Sequence, residues 1–161
     1  METDKQNCFG KALAIAGSLG IGGCMDAAVE KDTLVLIARC RHNAVSKENP
    51  DRYSGSGCLY VMDITNRENP RIRGRLTGLG NVRQVELVNG IAYVVSREDG
   101  MFIVDIKKPE APRLLAHYDT IEFATGLSVS DGVAFVGNRY HGVELIDISN
   151  SEKPTHIGIF R

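Results

Sequence analysis

One short phrase recurs in this chain at a fixed interval. Tyr60-Val-Met-Asp63-Ile64, Phe102-Ile-Val-Asp105-Ile106 and Glu144-Leu-Ile-Asp147-Ile148 place their aspartates 42 residues apart. Seven residues beyond each aspartate stands a proline: Pro70, Pro112 and Pro154. Upstream, Asn89-Gly90-Ile-Ala-Tyr93-Val94 is matched by Asp131-Gly132-Val-Ala-Phe135-Val136 at the same interval. A shared period across independent features marks a repeated unit that buries its apolar faces by stacking on its neighbours. A stretched first copy is also present. Lys31-Asp32-Thr-Leu-Val35-Leu36 aligns with Asn89-Gly90-Ile-Ala-Tyr93-Val94 at an offset of 58, which is one period plus a 16-residue insertion. The extra residues fall within 41–57, a polar stretch with Pro50 and the run Ser54-Gly-Ser-Gly57, the composition of a loop.

Within one unit four short segments favour extended backbone. In the second copy they are 82–88, 91–96, 101–106 and 113–118, rich in Val, Ile, Leu and Tyr and mostly bounded by Gly, Asn, Asp or Pro. Asn89-Gly90 predicts a tight hairpin between the first two, and Glu98-Asp99-Gly100 a turn between the next pair. No useful helical period occurs. Four antiparallel strands in about 42 residues form the blade of a β-propeller. The expected fold is therefore all-β, with three four-stranded antiparallel blades over residues 24–76, 82–118 and 124–161. Residues 12–17 match a fourth-strand position, with Ala14 and Ala16 falling where Ile72 and Gly74 sit, and predict an orphan outer strand ahead of the first blade. The chain ends on Ile157-Gly-Ile-Phe160-Arg161, itself a fourth strand. Three blades fall short of the usual four to eight. The whole of 1–161 reads as one propeller arc, completed by further blades or by other copies of itself, because open blade faces expose apolar surface.

The strand Phe102-Ile-Val-Asp-Ile106, the following Pro112 and the hairpin around Ala92-Tyr-Val94 resemble LVIVD-repeat proteins, a propeller family named for that third strand. The resemblance extends over roughly residues 12–161. It implies a propeller scaffold, often on exported or surface proteins, without shared catalytic residues. The insertion departs from the family pattern.

Composition narrows the function classes. Formal net charge is −1, which argues against a general nucleic-acid binder, although residues 39–83 hold nine Lys/Arg against four Asp/Glu. No apolar run is long enough to span a bilayer. Ile21-Gly22-Gly23-Cys24 faintly resembles a lipoprotein cleavage box, but Glu2 and Asp4 upstream offset the positive charge that a signal peptide requires. The compartment stays open. Cysteines stand at 8, 24, 40 and 58, with no Cys-x-x-Cys pair and no matching histidine pair, so no metal site is proposed. Cys40 and Cys58 bracket the insertion. A disulfide across the hairpin base is one reading, and two reduced, partly buried thiols are the plainer one.

Asp63, Asp105 and Asp147 each end a strand before a polar turn, where the carboxylate can accept nearby backbone amides; a structural turn role is expected rather than catalysis. Arg39, Arg97 and Arg139 share one repeat position, at the turn between second and third strands. That turn commonly opens on a propeller's ligand face. Guanidinium groups there suit carboxylate, phosphate or an acidic partner, whereas the plainer reading pairs them locally with Glu98 and Asp99. His42, in the insertion at the same turn, joins the candidate ligand-binding set. Arg71, Arg73 and Arg75 alternate along a fourth strand, with Ile72 and Gly74 on the other side, and read as edge charge that discourages stray sheet pairing. The remaining histidines, 117, 141 and 156, occupy non-equivalent positions. Gly17-Ser-Leu-Gly20-Ile-Gly22-Gly23 lacks the Gly-Lys-Ser/Thr of a phosphate loop, and no nucleophile motif occurs. Neither a cofactor nor a catalytic residue is indicated. The expected function is a non-enzymatic scaffold binding a protein or small anionic ligand through its loop face; the alternative is a ligand-processing enzyme domain whose site forms only in a complete ring.

Overall fold

The computed structural model describes residues 21, 23–40 and 57–161. The expected strand at 12–17 lies outside the described residues, as do His42 and the interior of the insertion. The described chain forms twelve strands in three four-stranded antiparallel sheets of sequential order. The first holds β1 (Cys24–Glu30), β2 (Thr33–Arg39), β3 (Gly57–Asp63) and β4 (Arg71–Thr77). The second holds β5 (Val82–Val88), β6 (Ile91–Ser96), β7 (Gly100–Asp105) and β8 (Arg113–Tyr118). The third holds β9 (Ala124–Ser130), β10 (Val133–Asn138), β11 (Gly142–Asp147) and β12 (Thr155–Phe160). Each sheet is a propeller blade. No helix forms among the described residues, and none is long and apolar enough to cross a membrane.

The first hairpin of each blade turns on a residue with left-handed backbone: Lys31 (φ 55°), Asn89 (φ 52°) and Asp131 (φ 50°). At the next turn Gly100 (φ 76°) and Gly142 (φ 83°) bring the strand against the carbonyls of Tyr118 and Phe160, where a Cβ would collide.

Blades pack face to face, with β5 set between β1 and β9. Val35, Ile37, Leu59 and Val61 of the first blade interlock with Val85, Ala92, Val94 and Val104 of the second. Ile91, Tyr93, Val95, Met101 and Ile103 of the second meet Leu127, Ala134, Val136 and Ile146 of the third. Alternation along a strand sends successive side chains to opposite seams. Hence β6 is buried throughout, while β10 alternates, because one face of the third blade has no neighbour among the described residues.

Polar clasps reinforce both seams. The Asp26 carboxylate accepts the Val85 amide at 3.0 Å, and Glu30 accepts the Asn89 and Gly90 amides at 2.7 and 2.8 Å. Gln84 holds both backbone groups of Leu127, each at 2.9 Å. Fully buried Glu144 accepts from the Tyr118 hydroxyl at 2.8 Å and the Ile121 amide at 3.0 Å.

A cationic pocket at the blade ends

Each first strand carries a register shift against its partner, and the displaced residue occupies one repeat position: Met25 in β1, Arg83 in β5 and Thr125 in β9. A β-bulge leaves its extra residue out of the ladder and re-aims the side chain. All three bulge residues line one pocket of about 590 Å³, together with Asp26, Gln84, Arg97 and Arg139. Three arginines therefore line this cavity against one acidic residue.

The second-to-third-strand turns are positioned by identical backbone bonds. The amides of Arg39, Arg97 and Arg139 donate to the carbonyls of Gly23, Asn81 and Phe123 at 3.0, 3.0 and 3.2 Å. The three arginines are thus equivalent in backbone as well as in sequence, but only Arg97 and Arg139 reach the pocket. Arg39 does not line it. Arg83, which the repeat comparison passed over, completes the set. Its counterparts are Met25 and Thr125, so no recurring residue type marks the position.

The side chains are held in different ways. The Arg97 guanidinium lies 5.5 Å from the Phe123 ring centroid, and its Nε is 3.7 Å from Glu98. Arg139 lies 5.0 Å from the Tyr140 ring centroid. Among the described residues no carboxylate forms an ion pair with Arg83 or Arg139. Asp26 and Gln84 are engaged by the seam clasps, which makes them a fixed wall of the pocket. Stacked, preoriented guanidinium groups are effective receptors for carboxylate or phosphate.

The other candidate residues lie elsewhere. Asp63, Asp105 and Asp147 accept the amides of Thr65, Lys107 and Ser149, each at 2.9 Å. Side-chain hydrogen bonding to Thr65 and Ser149 lowers the Asp63 and Asp147 carboxyls below their ordinary range. Cys40 and Cys58 have Cα atoms 5.7 Å apart with their sulfurs in contact, within the reach of a disulfide. Arg73 departs from simple alternation. It occupies a bulge in β4 and forms ion pairs with Asp63 at 3.3 Å and with Glu110 of the second blade. Among the described residues no group of three His, Cys, Asp or Glu side chains could hold a metal.

The LVIVD repeat model matches residues 79–120 and 123–161, together half of the chain. The chain belongs to the LVIVD-repeat family. No curated protein matches it. Among solved structures, this LVIVD-repeat chain is similar to the computationally designed Ika4 protein (TM-score 0.63, 13% identity, 86% of this chain and 72% of that one). It is also similar to the designed Ika8 protein (TM-score 0.59, 14% identity, 81% of this chain and 35% of that one). Saccharomyces cerevisiae Sqt1 gives a TM-score of 0.63 at 11% identity, over 87% of this chain and 36% of that one. At these identities the likeness is one of fold. The LVIVD-repeat chain spans about a third of the latter two.

Proposed function

We propose that this LVIVD-repeat chain is a propeller scaffold that binds an anionic ligand in the pocket of Arg83, Arg97 and Arg139. The observation that carries this reading is the presence of three arginines, two without an ion-pair partner among the described residues, in the lining of one cavity. Titration calorimetry with citrate as the probe tests it. Micromolar to millimolar binding that weakens with salt, and is lost in the R83A/R97A/R139A variant, is the expected result. Undiminished binding by that variant would remove the proposal.

The open face of the third blade supports a second element of the same reading, a packed protein partner in the form of a further blade or another copy of the chain. Phe135 occupies the repeat position of Val35 and Tyr93. Those two are 0% and 5% exposed, whereas Phe135 is 36% exposed. Ile157 and Phe160 are exposed beside it, on the outer strand of the same blade.

A further inference from the structure

The turns carrying Arg97 and Arg139 are one scaffold with two different side-chain sets. Arg97-Glu98-Asp99-Gly100 and Arg139-Tyr140-His141-Gly142 share the arginine amide bond to the preceding linker and the glycine with positive φ. In the first, Glu98 pairs with Arg97 and accepts from Asn81 Nδ2 at 3.2 Å, so charge is compensated locally. In the second, Tyr140 replaces that glutamate. Its ring lies beneath Arg139 and is 71% exposed. The nearest acid in that linker, Glu122, accepts the Tyr140 amide at 2.9 Å and His141 Nδ1 at 3.0 Å, so it secures the turn rather than neutralising Arg139. Because the second blade closes the same turn without an aromatic residue, the fold does not require one at 140.

From this asymmetry we infer that the occupant of the pocket is an acidic peptide segment. Its carboxylates would sit at Arg83 and Arg139, and an adjoining apolar side chain would lie against Tyr140. The inference rests on the anion-binding reading of the pocket. A lone oxyanion gains nothing from an exposed ring, whereas a peptide gains both charge pairing and apolar contact. Arginine and tyrosine are also the residues that dominate protein-recognition surfaces. The cavity, about 590 Å³, has room for more than one side chain.

Fluorescence anisotropy with two labelled peptides tests this: four glutamates around a central phenylalanine, and the same peptide with alanine at the centre. The phenylalanine peptide is expected to bind about five- to tenfold more tightly. Y140A should erase that preference, so that the two peptides bind equally, and R83A/R97A/R139A should abolish binding of both. Equal affinity of the two peptides, or citrate binding without peptide binding, overturns the inference and leaves the anion pocket standing. Failure of citrate and both peptides to bind overturns the pocket reading as well. Tighter capture of an oligothymidylate than of the phenylalanine peptide would assign the ring to base stacking and overturn the peptide proposal.

Discussion

Lys31 sits where the other two blades place Asn89 and Asp131, with the same left-handed backbone. Short side chains that bond locally tolerate this region, whereas a lysine has no compensating bond to its own turn. K31N is expected to raise stability by about 0.5–1 kcal/mol, or roughly 1–4 °C in Tm, measured by thermal denaturation. The turn aspartates give a pH dependence of defined sign. Asp63 and Asp147 have folded-state values depressed below their ordinary 3.8, so the unfolded chain binds their protons more readily. Their stabilisation is therefore fully present above that value and is lost as pH falls through the lower, folded-state value. A D63N/D147N variant should show a flatter decline of Tm below about pH 4 than the parent chain.

At the level of strands, the repeat was legible because each blade repeats its turn chemistry. Asn89-Gly90 and Asp131-Gly132 mark hairpins by backbone demands that few other residues meet. The arginine rim was legible in part, since Arg97 and Arg139 recur in phase. Arg83 was hidden because a bulge is specified by backbone register rather than by residue type, and its counterparts are a methionine and a threonine. The same effect displaced Arg73 from the alternating face expected of Arg71–Arg73–Arg75. Equivalent strands also differ in how much their packing contributes. Y93A, in the buried seam, is expected to cost about 3–5 kcal/mol by chemical denaturation, and F135A at the equivalent open position less than about 1 kcal/mol. A Cys40–Cys58 bridge would close the hairpin base across a separation of 18 residues. Intact-mass spectrometry should then find the isolated chain two mass units lighter than its reduced form, and C40S/C58S should lower stability by about 2–4 kcal/mol.

For the molecule as a whole, the seams are not interchangeable. Asp26 and Gln84 reach across to the next blade's first strand, and Glu30 caps the next hairpin. The equivalent positions in the third blade are Gly126, which has no side chain to reach with, and Ser130, whose hydroxyl donates to Asp131 of its own hairpin. Any partner on that face is therefore held by apolar contact rather than by these clasps. Self-association of the chain is accordingly expected to be reversible and concentration-dependent in sedimentation velocity. F135K/I157K should shift it to monomer with little change in Tm, because neither residue supports a built seam.

The in-phase bulges have a consequence for how such a protein can change. Met25, Arg83 and Thr125 stand outside the strand ladders, yet all three look into one cavity. Arg83 and Thr125 belong to neither seam's apolar core, so replacing them changes the lining of the cavity and leaves that core in place, whereas Met25 also packs against the first seam. A lineage built this way can reshape its cavity through the two codons of Arg83 and Thr125 at little cost to blade packing.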